Sequence, residues 1–538
     1  MASHLARSAQ TTALRSAGAA LAPARRRVLR PAASTVGPTV GRAMSMRADD
    51  KFSRTDAKPF PSLTVSGTAS GTAPLEANGV FAESQVAYLD PHEDDLEELK
   101  VALEAANLGV VAHFYMDPEL QGLLAAVDWE HIVVADSLVM GDAAVRQAEA
   151  GASAIAVLGV DFMTESVRAI MDARGFEHIP VYRVAPQEIG CSLASSAEAL
   201  QYQAWLQTAA KKDNSLHVVY INTSLLTKAQ AQATVPTITC TSGNVVQTIL
   251  QAFSQIPELT VFYGPDTYMG ENLRVLFKTV SEMPDEEIKA LHPDHDQASV
   301  RSLLERLEVF QQGMCVVHHM FGDSVVEEVE THYPDALISA HLEVPGGMFE
   351  LANKAAVEGR GVVGSTANIL NFIITRTKEA VAVGKEDKLQ FVLGTEAGMV
   401  TPIVKSVQRE LEGQDAVKVE IIFPVASEAI HATGESVEDG LSIVPGVSGG
   451  EGCSVSGGCA TCPFMKMNTL DGLIGVANAL TDAETNTKFL ESLLPQRRGL
   501  KVNGELASTL GSQPILHMRH LMTTGKISDE LINDVYSR

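Results

Sequence analysis

LGVVAHFYM (108–116), HIVVADS (131–137) and AIAVLGVDFMTES (154–166) are three apolar segments that follow one another along the chain, with a helical pattern after the second and third. Apolar runs of this length that alternate with helical patterns are typical of strands in parallel βα units. The polar residues at the end of each run would lie at the carboxyl edge of the sheet, where open α/β sheets bind ligands. Residues 108–166 therefore predict an α/β fold with a parallel sheet.

The same order of segments recurs twice. The second round has HVVYINTS (217–224), TITCTSGN (237–244) and LTVFYGPDTYMG (259–270), and the third has ALISAHLEV (336–344), RGVVGSTAN (360–368) and LQFVLGTEAGM (389–399). The first and second strand ends are 24, 22 and 24 residues apart in the three rounds: His113 to Ser137, Tyr220 to Ser242, and His341 to Ser365. This spacing indicates internal triplication, and the alternative is chance similarity between hydrophobic strands.

One cysteine follows each round: Cys191, Cys315 and Cys462. Cys462 closes a Cys-x-x-Cys pair with Cys459 and runs into Pro463, which fits a zinc knuckle, a redox dithiol or a ligand of an iron–sulfur cluster. A zinc site would need a second close pair or suitably spaced histidines, and neither follows. One cysteine per repeat favours the cluster, because three domains related by pseudo-threefold symmetry would bring their strand ends, and with them the three thiols, towards one axis. Three thiolates on a four-iron cluster would leave one iron free to bind a substrate oxygen as a Lewis acid.

Composition excludes several classes of protein. The chain has 538 residues, of which 45% are hydrophobic and 20% charged, as in soluble globular proteins of two to four domains. The net charge of −25 argues against a nucleic-acid partner, and no apolar run is long enough to predict a membrane span. Six cysteines in this length do not suggest a disulfide scaffold.

The first 48 residues differ in kind, since they contain eight arginines and no acidic residue. This pattern predicts an organelle transit peptide, with a disordered basic tail as the alternative. Residues 49–94, rich in Ser, Thr, Gly and Pro in their first part, are predicted to be a mostly disordered linker, and the folded body is expected to begin near Asp90.

Over about residues 95–480, the chain resembles the quinolinate synthase family of NadA-type enzymes. The segments that carry the resemblance are VVAHFYMDPELQ (110–121), VVADSLVM (133–140), GVDFMTESV (159–167), IGCSL (189–193), VVYINTS (218–224), CTSGN (240–244), YGPDTYMGENL (263–273), MCVVHHMF (314–321), YPDALISAHLE (333–343), VGSTANILNFI (363–373) and CATCPFMKMNTL (459–470). The resemblance implies three homologous three-layer αβα domains with parallel sheets, related by pseudo-threefold symmetry, with the active site at the central axis. We assign these repeats to residues 95–195, 196–325 and 326–538.

The resemblance also implies a reaction and a cofactor. The family condenses iminoaspartate with dihydroxyacetone phosphate to quinolinate, phosphate and water in the biosynthesis of NAD, and each domain supplies one ligand to a [4Fe-4S] cluster. Cys191, Cys315 and Cys462 match the cluster ligands. Cys459 matches a further family thiol, Cys453 has no assigned role, and Cys240 is expected to be a small core residue.

The strand ends supply candidate substrate ligands and acid–base groups. Ser and Thr residues that follow strands and open helices can bind a phosphate, although such residues also serve as plain N-caps. The candidate phosphate ligands are Ser137, Ser242, Ser365 and Thr366, and Asn222 is a candidate ligand of a substrate carboxylate. The candidate catalytic residues are His113, Tyr115, Tyr220, His318, His341 and Glu343, with Glu343 the preferred general base.

The chain departs from the family at a few positions. His319 replaces a frequent acid, Leu342 replaces a proline, and residues 280–308 and 404–448 look like insertions. The alternatives to quinolinate synthase are another [4Fe-4S] hydro-lyase on the same fold and a non-catalytic iron–sulfur or redox-sensing protein.

Location and partners are further expectations. The transit peptide is expected to favour the plastid over the mitochondrion. The expected partners are L-aspartate oxidase or aspartate dehydrogenase as the source of iminoaspartate, together with separate iron–sulfur assembly proteins. A homodimer is among the expected assemblies, and no nucleic acid or membrane is expected to bind.

Overall fold

Parallel strands that alternate with helices make up most of the computed structural model, which describes residues 59–384, 386–424 and 461–538. The predicted transit peptide, the start of the linker, Cys453 and Cys459 lie outside the described residues, as does the part of the second predicted insertion from residue 425 onward. The α/β fold class with parallel sheets is confirmed.

The strands of the described residues are short, and most of their side chains are buried. They are β1 (Ser62–Thr68), β2 (Gly71–Thr72), β3 (Glu76–Asn78), β4 (Leu108–His113), β5 (Ile132–Ala135), β6 (Ala154–Leu158), β7 (Val181–Arg183), β8 (Ser215–Tyr220), β9 (Thr237–Cys240), β10 (Thr260–Gly264), β11 (Leu307–Val309), β12 (Leu337–His341), β13 (Gly361–Gly364), β14 (Asp387–Gly394), β15 (Val417–Ile422), β16 (Lys501–Val502) and β17 (Glu505–Leu506).

Helices connect these strands and form the C-terminal part of the chain. They are α1 (Val80–Tyr88), α2 (Glu93–Ala106), α3 (Pro118–Ala126), α4 (Ser137–Glu149), α5 (Asp161–Ala173), α6 (Ser192–Glu198), α7 (Leu200–Ala209), α8 (Leu225–Thr234), α9 (Val245–Gln255), α10 (Thr267–Ser281), α11 (Asp285–Leu291), α12 (Gln297–Glu305), α13 (Asp323–His332), α14 (Gly346–Val357), α15 (Thr366–Val383), α16 (Val400–Leu411), α17 (Leu470–Thr481), α18 (Thr487–Ser492), α19 (Ala507–Leu510), α20 (Ser512–Thr524) and α21 (Asp529–Ser537). Short 3₁₀ turns lie at His318–Met320, Ala397–Met399, Met465–Met467 and Gln496–Gly499.

Three sheets share one strand order. The orders are β5-β4-β6-β7, β9-β8-β10-β11 and β13-β12-β14-β15, and every neighbouring pair within these four-strand sets is parallel. In each set the strand that comes first in the chain lies between the second and the third. The repeated spacing in the sequence therefore corresponds to a repeated topology, whereas the exact boundaries between the three repeats stay predictions.

The prediction of a mostly disordered linker over residues 49–94 is wrong for residues 62–88. Strand β1 pairs antiparallel with β15, from Ser62 opposite Ile422 to Ser66 opposite Lys418, and so covers the edge of the third sheet. Leu63 and Val65 are fully buried, and the Ser62 hydroxyl donates to Glu420 Oε1 at 2.8 Å. Pairing with a sheet edge far along the chain stabilises this segment, so its local composition wrongly predicts disorder.

The first predicted insertion, residues 280–308, also takes part in a sheet. Residues 280–308 contain α11 and α12, as their helical pattern predicts, but they lead into β11, which pairs with β10 as the fourth strand of its sheet. Farther along the chain, α17 packs against α2, and α20 packs against β9. Among the described residues, none of the helices is both long enough and apolar enough to cross a membrane.

Candidate active site

The carboxyl ends of the three sheets line one cavity. Twelve of the fourteen residues that the sequence singles out lie in its wall or floor: His113, Tyr115, Ser137, Cys191, Tyr220, Asn222, Ser242, Cys315, His341, Glu343, Thr366 and Cys462. The two others, His318 and Ser365, lie outside the lining. Residues from all three repeats therefore meet at one place, beside the carboxyl ends of parallel strands, where open α/β sheets bind ligands.

The first strand of each repeat supplies two of these residues at the same offset. Strands β4, β8 and β12 end at His113, Tyr220 and His341, and the second residue after each of these is Tyr115, Asn222 and Glu343. His113 Nδ1 accepts a hydrogen bond of 3.1 Å from the Tyr115 backbone, which leaves Nε2 to carry the proton of the neutral ring. Burial lowers the pKa of His113 to about 4 and that of His341 to about 3, despite the opposing charge of Glu343 in both cases.

Glu343 is the centre of a buried network. Its Oε1 accepts a hydrogen bond from the Tyr220 hydroxyl, and its Oε2 lies 3.1 Å from Nδ1 of His318. The His318 ring, which is fully buried, stacks on His341 with ring centroids 4.9 Å apart. Burial acts to raise the pKa of Glu343, but His318, His341 and the Tyr220 hydroxyl outweigh it and hold the carboxyl below its usual range. His318 thus contacts the cavity residues from behind.

The second strand of each repeat leads towards a helix, which begins at Ser137 in α4 and at Thr366 in α15 but three residues after Ser242 in α9. Ser137, Ser242 and Thr366 are the second residues after β5, β9 and β13, and all three line the cavity. The Ser242 hydroxyl lies 3.1 Å from Nε2 of His341, so it joins the network around Glu343. Free N–H groups and the helix dipole at such positions favour an anion.

Ser365 acts as a cap in this structure. It precedes α15, its hydroxyl donates to Asn368 Oδ1 at 2.8 Å, and the Asn368 backbone N–H donates back to it at 3.3 Å. The side chain is 3% exposed and is absent from the cavity lining. The alternative of a plain N-cap therefore describes its hydroxyl best, and its proposed contact with phosphate stays a prediction.

The three cysteines reach the cavity from loops that follow the fourth strands. Cys191 precedes α6, Cys315 precedes the turn at His318, and Cys462 precedes the turn at Met465. All three are free thiols, and all three line the same wall. Cys240 is fully buried in β9, in agreement with its expected role as a small core residue.

A second set of possible metal ligands partly overlaps the cysteines. Ligand atoms of Cys315, His318 and Glu343 lie within 4.8 Å of one another. A metal on this set would have to replace the contact between His318 and Glu343 Oε2 and to compete with the Tyr220 hydroxyl for Glu343 Oε1. The three thiols carry no such commitment to a buried carboxylate.

Glu396 is the main cavity residue to which sequence reasoning assigned no role. It is 2% exposed, its Oε2 has no hydrogen-bond partner among the described residues, and it accepts a hydrogen bond from the Cys462 backbone. Burial raises the pKa of Glu396 well above its usual range, and the nearby charge of Glu343 raises it further. The signal was present in the sequence, because GTE aligns with GVD and GPD at the third strand ends.

Comparisons with known proteins place the chain in a family. The family described as Quinolinate synthetase A protein (NadA) matches residues 97–419. Quinolinate synthase, chloroplastic, of Arabidopsis thaliana is 52% identical over 493 residues, which cover 89% of this chain and 67% of that protein. The protein of the same name from Oryza sativa subsp. japonica is 48% identical, with 89% and 69% covered.

A more distant relative matches a smaller part of the chain. Quinolinate synthase of Methanopyrus kandleri is 27% identical over 318 residues, which are 57% of this chain and 88% of that protein. The match to the family extends over more than half of this chain, and each of the two plant proteins is similar to the chain over 89% of the chain's length. The chain therefore belongs to the quinolinate synthetase A family of enzymes.

Proposed function

We propose that the protein is a quinolinate synthase that condenses iminoaspartate with dihydroxyacetone phosphate, and that it releases quinolinate, phosphate and water. The observation that carries this proposal is the meeting of three thiols, anion-binding helix N-termini and a buried acid–base network in one cavity. The pseudo-threefold arrangement of the repeats, with the cavity at its axis, is part of the proposal. It is supported by the strand order that the three sheets share.

The cysteine loops fit a [4Fe-4S] cluster. Thiolates are the usual ligands of such clusters, and Cys191, Cys315 and Cys462 offer three of them to one cavity without a disulfide among the described cysteines. When bound through three thiolates, the cluster would supply one iron without a protein ligand, which can polarise a substrate oxygen as a Lewis acid.

The remaining residues would bind and orient the substrates. The phosphate of dihydroxyacetone phosphate would accept hydrogen bonds from Ser137 and Thr366, the first residues of α4 and α15, and from Ser242, which lies three residues before α9. Asn222 would hold a carboxylate of iminoaspartate through its amide. Ser365 would contribute through its cap of α15, which fixes the backbone next to Thr366.

Proton transfer would centre on Glu343. As a carboxylate it can accept a proton from a substrate carbon or hydroxyl, and the Tyr220 hydroxyl and the His318 and His341 rings surround it. His113 and Tyr115 also line the cavity, and the Tyr115 ring contacts that of His341 with centroids 6.0 Å apart, so both residues can hold or protonate substrate oxygens beside this network. Positioned acid–base groups of this kind contribute a factor of about 10²–10⁴ to the rate.

The cellular setting follows from the relatives. The Arabidopsis and rice proteins are named chloroplastic, and we propose a plastid location for this chain, with residues 1–48 as the address. Iminoaspartate would come from L-aspartate oxidase or aspartate dehydrogenase, and the cluster from separate assembly proteins. The homodimer stays a proposal.

The activity assay is direct. Residues 49–538, purified without oxygen, should form quinolinate and phosphate in equal amounts from dihydroxyacetone phosphate and iminoaspartate generated in the cuvette. Glu343→Gln should lower kcat/KM by about 10²–10⁴-fold, the contribution of a general base. Glu358→Gln is the matched control, because that carboxylate is 45% exposed and pairs only at the surface with Arg360. Cluster-loaded protein that forms no quinolinate would favour a different hydro-lyase or a carrier.

A further inference from the structure

The Ser192 side chain connects two of the cysteine loops. Ser192 follows Cys191 directly and is the first residue of α6. Its hydroxyl donates to the Met314 carbonyl oxygen at 3.0 Å and accepts a longer hydrogen bond of 3.4 Å from the Val316 backbone N–H. Met314 and Val316 are the two neighbours of Cys315, so one hydroxyl contacts the backbone on both sides of that cysteine.

This contact limits how far the two thiols can separate. Ser192 is one residue from Cys191, and its two hydrogen-bond partners are each one residue from Cys315. The two cysteine backbones are therefore connected through two peptide units and a pair of hydrogen bonds. The two cysteines otherwise belong to different sheets, since Cys191 follows β7 and Cys315 follows β11. A rotation of one repeat against the other would therefore have to break the Ser192 contacts before the thiols could move apart.

Asn468 makes a comparable connection for the third cysteine loop. Its Oδ1 accepts from the Gly159 backbone N–H at 3.1 Å, and its Nδ2 donates to the carbonyl oxygens of Met465 and Gly159 at 3.0 and 3.3 Å. Gly159 directly follows β6 in the first repeat, whereas Met465 belongs to the turn that follows Cys462. Asn468 is 2% exposed, so water competes little for these hydrogen bonds.

We propose that Ser192 and Asn468 are positioning residues that hold the three cysteine loops in the arrangement that binds the cluster. The inference rests on the proposed cluster, and it adds residues that do not themselves bind iron. Loops that are already aligned lose less conformational freedom when they bind a metal group, so the group dissociates more slowly. Without the Ser192 hydroxyl, the Cys191 loop would lose these two hydrogen bonds to the Cys315 loop.

The test compares cluster loss in variants of the loaded protein. Wild type, Ser192→Ala, Ser192→Thr and the control Ser196→Ala are purified without oxygen, and the decay of the cluster absorbance is followed after a ferrous chelator is added. Ser196 lies on the same helix, but its hydroxyl donates within the helix, to the Ser192 carbonyl oxygen at 2.9 Å. Ser192→Ala should lose iron about tenfold faster, which corresponds to about 1.4 kcal/mol.

The other variants decide between positioning and folding. Ser192→Thr keeps the hydroxyl and should restore slow iron loss, and Ser196→Ala should behave as wild type. Asn468→Ala should also accelerate iron loss while the far-ultraviolet circular dichroism stays unchanged. Loss at the wild-type rate in Ser192→Ala, or an insoluble Ser192→Ala protein, would overturn the proposal. Wild-type protein that holds no iron would instead refute the proposed cluster itself.

Discussion

Lys228→Met should destabilise the protein and weaken substrate binding together. Lys228 is fully buried on α8, and its ammonium donates to the carbonyl oxygen of Ile221 at 3.0 Å and to that of Thr223. These two residues flank Asn222, the candidate ligand of a substrate carboxylate. Burial lowers the pKa of Lys228, and the nearby Glu165 carboxylate partly offsets this effect.

The magnitude follows from the groups that lose their partner. Each buried carbonyl oxygen left without its donor costs about 1–3 kcal/mol, and removal of one member of a buried charged network costs about 3–5 kcal/mol. Methionine has a shape similar to that of lysine and no charge to desolvate. We therefore expect the free energy of unfolding to fall by about 3 kcal/mol, the lower end of the range for a buried charged network. The Asn222 loop should then shift, and KM for iminoaspartate should rise about tenfold for about 1.4 kcal/mol of lost binding.

The assay measures the thermal midpoint by circular dichroism and KM by initial rates. Lys212→Met is the matched control, because Lys212 is 48% exposed and pairs with Glu308 at the surface, and it should change neither value. A Lys228→Met protein with the wild-type midpoint and the wild-type KM would refute the claim that this ammonium organises the Asn222 loop.

Two further predictions concern packing and acid stability. Gly398→Ala should lower solubility or kcat sharply, because the new Cβ would lie 2.4 Å from the carbonyl oxygen of Phe114, the residue before Tyr115. Gly475→Ala is the control and should resemble wild type, because no atom lies within 4 Å of its new Cβ. Burial lowers the pKa of His217 to about 3 in the folded protein, against about 6.5 in the unfolded chain. Between these two pH values only the unfolded chain protonates this imidazole, so the free energy of unfolding falls as the pH falls from about 6.5 to about 3. His217→Phe should therefore show a shallower fall of the thermal midpoint between pH 6.5 and 4, and an unchanged slope would contradict this assignment.

Much of the cavity could be predicted because the chain repeats itself. The residues that end β4, β8 and β12 occupy equivalent positions, and parallel topology brings such positions to the same edge of a sheet. Because His113, Tyr220 and His341 end strands of three different sheets, their expected proximity also rested on the pseudo-threefold arrangement that the repeats and the family resemblance implied. The same reasoning placed one cysteine per repeat at the cavity.

The features that sequence reasoning missed depend on contacts between distant segments. Strand β1 is stable because it pairs with β15, more than 350 residues away along the chain, and its Ser, Thr and Gly content hides this. Ser365 and Thr366 are adjacent in sequence, and only the geometry of the α15 cap shows which one faces the cavity. Glu396 stood in an aligned loop, but alignment alone could not show that its carboxyl is buried beside Cys462.

The most direct test of the account is the content of iron and acid-labile sulfide in residues 49–538 purified without oxygen. The account predicts about four of each per chain, together with a broad brown absorbance, and their loss in Cys462→Ser while the fold is retained. Zinc in place of iron, or no metal under conditions that preserve clusters, would contradict the claim that Cys191, Cys315 and Cys462 jointly bind an iron–sulfur cluster.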